Sequence, residues 1–398
     1  MPRFPRLLDD ARALHDRTVE LRRTIHRRPE IGLDLPHTRR AVLAEIADLG
    51  LAQRLSERTS AVVAVLDGAR PGPTVILRGD MDALPLHEDT GLPFASEVDG
   101  AMHACGHDTH VAMLAGAARL LSARRAELGG RVVFFFQPGE ETHGGARIAL
   151  EEGLLDDVGD VVGAFALHIT TAERSGVVAL RPGAQLAATD TFFVTVEGRG
   201  GHASAPALAN DPIPVACEMV TALQTVMTRR VKAFDPAIVT VAHLTAGTTT
   251  NVIPSTAVFE GTVRTLSEEV RVAVREHIHR VTAGVAAAHD MTVDVRIEPG
   301  YPVTVNDADF AERVHTVAGD LLGADGVRRM ENPIMGAEDF SYLLQRHPGA
   351  MAFLGGCLPS EDPASTAWNH SNLVVFDEDA LSVGVATHAA VTLDLLGD

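Results

Sequence analysis

Apolar residues recur at helical spacing over residues 7 to 28 and 36 to 49, and the RRPEIGLDLP between them breaks the pattern with Pro29, Gly32 and Pro36. Two helices are therefore predicted to open the chain. AVVAVL (61 to 66) and TVILRGDMD (74 to 82) are β-branched apolar runs bounded by Gly and Pro, the pattern of buried strands. Val111, Leu114, Ala115, Ala118 and Leu121 then mark a helix, followed by a strand at RVVFFF (131 to 136), a helix near 144 to 153 and a strand at VVGAFALH (161 to 168). Strands alternating with helices predict an α/β layered sheet.

The pattern changes after Pro182. A β-like run at 187 to 197 is followed by a helical stretch at 211 to 230, strands at 237 to 244 and 256 to 265, a helix at 267 to 289 and a strand at 291 to 297. That order, βαββαβ, matches a ferredoxin-like unit inserted in the sheet domain. The predicted division is residues 1–182 and 300–398 in one domain and 183–299 in the other, with hinges near Pro182 and Gly300.

Composition narrows the function. At 398 residues the chain exceeds one comfortable core, which at about 150 residues per domain suggests two to three domains. The 34 basic against 53 acidic residues leave a net charge of −19, which argues against a nucleic-acid partner because phosphate binding needs a basic footprint. Solubility is the simpler reason for the acidity. The opening MPRFPRLLDDARAL has no signal-peptide core, and every later apolar stretch is interrupted before about 18 positions, so a cytoplasmic protein without a membrane anchor is expected. Three cysteines, Cys105, Cys217 and Cys357, do not make a disulfide framework.

The densest chemistry lies in HACGHDTH, residues 103 to 110. If the chain is extended there, Cys105 and His107 point to one side and can share a transition metal. Asp80 and Asp82 close one predicted strand, Glu140 and Glu141 follow another in QPGEE, and His168 closes a third. Open α/β sheets gather ligands at the carboxyl ends of their strands, so these groups and a late His370 in AWNHSN could meet. Each has a plainer reading: His168 as a hydrogen-bonded histidine, the Glu pair as a solvated loop, Asp82 as a helix cap or an orienting group. A nucleophilic Cys105 is the rival chemistry, but it leaves the second Glu of QPGEE without a role.

RGDMDALP, MHACGHDTH, FFQPGEE, ALH, GRGGHASAP, NVIP with GTVRT, and MGAEDFS followed by NHSN and FDEDAL occur in order from about residue 20 to about residue 385. In these motifs the chain resembles the bacterial and plant amidohydrolase family of N-acyl-amino-acid amidohydrolases, hippurate hydrolases and indole-acetyl-amino-acid hydrolases, within the larger group of two-metal aminoacylases and carboxypeptidases. Gly139 and Ala337 depart from residues common there, without removing a chemical group.

The resemblance implies a zinc-exopeptidase-like catalytic domain with a mixed sheet, an inserted lid and dimerisation domain, and two divalent metal ions: zinc or manganese, with cobalt or nickel also admitted. It implies Cys105 as the bridging ligand, His107, Glu141, His168 and His370 as the other ligands, Glu140 as general base, and Asp82 behind a ligand imidazole. His202 would stabilise an oxyanion across a homodimer, or a higher homo-oligomer, while Asn251 and Arg264 would hold a substrate carboxylate, for which an arginine offers a bidentate fork. The expected substrate is a small N-acyl amino acid. A metallocarboxypeptidase or dipeptidase is the nearest alternative, and a metal-binding scaffold without catalysis is the third.

Overall fold

The apolar runs of the first half of the chain become strands of one eight-stranded sheet, in the order Ala52–Leu55, Val62–Asp67, Gly129–Gln137, Arg70–Asp80, Val161–Arg174, Gly349–Cys357, Val178–Leu180 and Val327–Arg329. The central strands, Gly129–Gln137, Arg70–Asp80, Val161–Arg174 and Gly349–Cys357, run parallel, while Val62–Asp67 and Val178–Leu180 are antiparallel to their central neighbours. The computed structural model describes residues 4, 6–141 and 143–397. Its internal contacts divide the chain into two units, one of Met1–Gln185, Val305–Asn332 and Asp339–Asp398 and one of Leu186–Thr304 and Pro333–Glu338. Among the described residues no helix is long and apolar enough to cross a membrane.

In the larger unit, Val75, Leu77, Phe134, Phe136, Phe165 and Leu167 from the sheet form one core with Val111, Leu114, Ala118 and Leu121 of helix His107–Ala123 and Leu381, Val385 and Ala389 of helix Ala380–Leu396. Helix His107–Ala123 is buried on nearly every side, as expected of a helix without a polar face. The helical pattern at residues 7 to 28 resolves into two helices, Leu7–Arg12 and His15–His26, and the second ends before Pro29.

Two strand ends differ from their predicted positions. The strand expected over 74 to 82 stops at Asp80, so Asp82 lies beyond the sheet. The strand expected to close at His168 continues to Arg174 because it keeps a partner in Gly349–Cys357 after its other neighbour has ended, with Phe353 opposite His168 and Arg78 opposite Ala166. His168 is therefore a mid-strand residue lying level with the carboxyl end of its neighbour.

The smaller unit has the element order βαββαβ: Ala188–Glu197, Pro212–Arg230, Ala237–Ala246, Thr256–Thr265, Glu268–Ala288 and Thr292–Pro299. Its sheet runs Ala237–Ala246, Thr256–Thr265, Ala188–Glu197, Thr292–Pro299, with every neighbouring pair antiparallel. Phe192, Val194 and Val196 pack with Val215, Met219 and Leu223 of one helix and Val274 and Ile278 of the other. Residues beyond the expected 183–299 join it: the Ala187 N–H donates to the carbonyls of Ile334 and Gly336, and Thr189 N–H to that of Tyr301.

The extended geometry expected around Cys105 is not what forms. Residues 104 and 105 lie in a turn, Gly106 has φ +90°, and His107 is the first residue of its helix. The left-handed step at Gly106, rather than strand alternation, turns the two side chains toward each other. A Cβ on Gly106 would meet Ile169 Cγ2 at 2.4 Å. We therefore expect Gly106→Ala to cost about 3 kcal/mol, combining left-handed strain with overpacking. Urea unfolding checks this, and a stability equal to wild type would contradict it.

Candidate metal centre

Cys105 Sγ lies 3.3 Å from Nε2 of His168 and 3.3 Å from Nε2 of His370. His370 Nε2 is 3.2 Å from Glu141 Oε1, and the same oxygen is 4.0 Å from Nε2 of His107. Among the groups of three whose donor atoms all lie within 4.8 Å of one another are Cys105, His107 and His168; Cys105, Glu141 and His370; and His107, Glu140 and Glu141. A tetrahedral ion with ligands at about 2.0 to 2.3 Å holds those ligands about 3.5 Å apart, so the spacing suits cations. The first two triads share the sulfur of Cys105.

Turns and strand ends deliver these groups. Gly139, at φ +74°, reverses the chain after strand Gly129–Gln137, so that the N–H groups of Glu140 and Glu141 donate to the two oxygens of Asp82 at 2.9 and 3.0 Å. Asp82 Oδ1 is also 3.6 Å from Nδ1 of His107. One buried carboxylate thus orients the Glu pair and flanks an imidazole. His168 Nδ1 pairs with the Ile169 carbonyl at 2.7 Å, which leaves its Nε2 lone pair toward Cys105.

A buried ladder of charge lies beside this cluster. Arg78 donates to Asp80 at 2.6 Å, to Gln137 at 2.9 Å and to Asp339 at 3.0 Å. Asp339 also accepts from Gln137 Nε2 at 2.7 Å and from the Ala146 N–H at 2.9 Å. His110 Nε2 accepts from the Ile169 N–H at 2.8 Å, so its proton sits on Nδ1 and is donated to Asp80. Both nitrogens of His110 are committed, and Asp80 is neutralised by Arg78. Asp80, expected among the strand-end ligands, is thereby occupied within the protein, although it and His110 lie close to His107.

Burial and local hydrogen bonds set the electrostatics of the cluster. Burial pushes the Cys105 thiol up, with the His107 imidazole pulling it back down. Burial, together with the neighbouring His110, holds His168 well below the usual imidazole range. Hydrogen bonds to Cys105 and Glu141 outweigh burial at His370 and push it up to about 10. Both ring nitrogens of His107 are buried and make no hydrogen bond among the described residues, a cost that a coordinated cation removes. Thiolate, imidazole and carboxylate together form a donor set for a transition metal. His103, in contrast, belongs to none of the triads. It is buried beside His26, and burial pushes it down to about 3.

The other residues singled out in the sequence lie in the smaller unit. His202 and Asn251 are brought together there: Val252 pairs with His202 across two short strands, and the Ala203 N–H donates to the Asn251 carbonyl at 3.1 Å. His202 is exposed, with Nδ1 accepting from the Ser204 N–H at 3.1 Å. Arg264 lies on strand Thr256–Thr265, half-buried. Burial alone lowers its pKa, and no carboxylate pairs with it among the described residues, so the structural salt bridge that competed with substrate binding is not formed.

Sequence reasoning passed over Arg78, His110, Gln137 and Asn369 as site residues. Arg78 and Asp80 alternate within an otherwise apolar strand, a signal for a buried ion pair on one face. His110 follows His107 by one helical turn. Gln137 and Asn369 carry no comparable signal.

The chain is similar along nearly its whole length to known proteins. Thermostable carboxypeptidase 1 of Saccharolobus solfataricus is 37% identical over 392 residues, 98% of each chain. The N-acetylcysteine deacetylase of Bacillus subtilis is 36% identical over 392 residues, 97% of this chain and 98% of the relative. The crystal structure of the Bacillus subtilis YXEP protein, described as a dinuclear metal binding peptidase, matches with a TM-score of 0.83 at 34% identity over 97% of this chain and 99% of that one. The profile of peptidase family M20/M25/M40 spans residues 76–394, a stretch that includes every residue of the candidate centre, and the chain belongs to that family.

Proposed function

We propose that this protein is a metal-dependent amidohydrolase that cleaves the amide bond of N-acyl amino acids, releasing a carboxylic acid and a free amino acid. The observation that carries the proposal is the convergence of two imidazoles on the Cys105 sulfur, with Glu141 alongside and His107 buried without a hydrogen bond. Cys105 would be the ligand shared by two divalent ions, with His107, Glu141, His168 and His370 completing the set. Zinc fits the thiolate and imidazoles, and manganese, cobalt or nickel fit the carboxylate share. When bound, such a pair of cations acidifies a water and polarises the amide carbonyl.

The side chains have separate tasks in this reading. Glu140, fixed through its backbone by Asp82, accepts the proton of the attacking water and returns it to the leaving amine. Arg264 and Asn251 hold the carboxylate of the amino-acid half, for which a half-buried guanidinium without a protein partner is suited. His202 donates to the oxyanion. A relative named as an N-acetylcysteine deacetylase supports the N-acyl substrate class, and one named as a carboxypeptidase keeps the short-peptide reading as the alternative. Both classes present an amide next to a free carboxylate.

The protein functions as a homodimer through the smaller unit. Strand Ala237–Ala246 is an edge of that sheet, with Ile238 and Leu244 exposed on it and Phe234 almost fully exposed just before it. An open apolar edge of this kind is a pairing surface.

Three measurements test the proposal. With added divalent metal, N-acetyl, N-benzoyl or indole-acetyl amino acids should be hydrolysed in preference to dipeptides. A preference for dipeptides would select the peptidase reading, and activity that survives chelation but is lost to a thiol alkylator would select the nucleophile. Glu140→Gln should lose at least about a hundredfold in kcat, the scale of general-base catalysis, while metal content stays unchanged, and near-normal turnover would refute the role. Light scattering should give twice the 42.2 kDa chain mass, and Leu244→Lys should reduce it to that of one chain. A monomeric wild-type protein would contradict the dimer.

A further inference from the structure

We infer that Asn369 is a positioning residue that sets the geometry of the ligand cluster by bonding together three segments that carry its members, an inference that rests on the metal-centre reading above. Its Nδ2 donates to the carbonyl of Cys105 at 3.0 Å and to the carbonyl of Ile169 at 3.0 Å. Both partners are acceptors only, which fixes the amide with its NH2 group toward them. The next residue adds a third bond, from the His370 N–H to the Ala104 carbonyl at 2.9 Å. One dipeptide thus joins the backbone of the Cys105 turn, the backbone beside His168 and the origin of the His370 ring.

Two features give these bonds consequences for the ligands. The Ile169 carbonyl that receives Asn369 also pairs with His168 Nδ1 at 2.7 Å, so the amide holds the acceptor that orients the His168 ring toward sulfur. His370 has φ +70°, a left-handed conformation that a non-glycine residue keeps only where its surroundings enforce it. The His370 N–H bond before that step and the Ser371 N–H bond to the Trp368 carbonyl, at 2.9 Å, after it enforce it here. Groups that hold a ligand's acceptor in this way tune metal affinity as the ligands themselves do.

The loop does not depend on Asn369 to fold. Ala367, Val374 and Phe376 pack with Met102, Ala104 and Ile169 in a separate apolar cluster, and Thr171 Oγ1 bonds the Ala367 carbonyl at 2.8 Å. Removing the amide therefore leaves the segment in place while releasing His370 and the Ile169 carbonyl.

The test is a titration of metal-free, full-length protein with cobalt(II) alone, against a competing chelator, following the thiolate-to-cobalt charge-transfer band, with thermal melting of the metal-free protein recorded alongside. Asn369→Ala should bind cobalt about 10- to 100-fold more weakly, with an altered band and an unchanged metal-free melting temperature. Asn369→Asp, of the same shape but with oxygens facing two carbonyls, should lose more. Wild-type affinity and an unchanged band in these variants would overturn the inference. Should both fail to fold, Asn369→Ser carries the same comparison with one donor retained, and wild-type affinity in it would be equally decisive. Cys105→Ser and His370→Ala separate the two levels: if they lose cobalt while the Asn369 variants keep it, only the positioning role fails. If they too bind like wild type, the metal-centre reading fails and this inference with it.

Discussion

Desolvation of donor atoms is the constraint around which this fold is organised. A thiol, three imidazoles and two carboxylates are drawn together at one end of a sheet, and three of them, Cys105, His107 and Glu140, are buried. Burial holds the Cys105 thiol and the His168 imidazole in their neutral forms, while hydrogen bonds to Cys105 and Glu141 pull His370 up. Placing an ionised group in such a site costs several kcal/mol unless a counter-charge is supplied. On the proposed reading the counter-charge is a pair of divalent cations, and metal affinity and the stability of this end of the sheet are then one quantity.

The protein places a second set of charges beside the cluster. Arg78 is bonded to both Asp80 and Asp339 in the strand layer, with Gln137 and His110 making further hydrogen bonds to these groups. Asp80 Oδ2 lies 3.4 Å from Nε2 of His107, and against the opposing effect of burial its charge pulls that imidazole up. Asp82, two residues further on and past the end of the strand, faces the Glu140–Glu141 backbone instead. The end of the strand at Asp80 thus separates a carboxylate that pairs with Arg78 from one that holds the Glu140–Glu141 backbone.

The sequence was most legible where the chemistry is local. HACGHDTH holds Cys105 and His107 three positions from end to end, and both enter the cluster, although by a glycine turn rather than by strand alternation. The residues that had to be carried over from strand ends came together for a reason the pattern contains: parallel strands terminate at a common level. His168 shows where that reading stops, because a strand's length depends on how long its neighbours run, which no local pattern reports. Asp80 shows another limit. Its position at a strand end suggested a ligand, but its partners, Arg78 on the same strand and His110 on the following helix, use it inside the protein. Asn369 was illegible for a third reason, since both of its partners are backbone carbonyls, and carbonyls carry no sequence. The smaller unit was read well in element order because its helices and strands each keep a single apolar face, while its limits moved from 183–299 to Leu186–Thr304 and gained Pro333–Glu338, which pair with it through the Ala187 N–H.

The central claim is that the Cys105 sulfur is a ligand common to two ions, and X-ray absorption at the zinc edge of the protein loaded with two zinc equivalents per chain tests it most directly. The account predicts a sulfur shell at about 2.3 Å around both zinc ions, lost in Cys105→Ser. A first shell containing only nitrogen and oxygen, or a sulfur shell that persists in that variant, would contradict it.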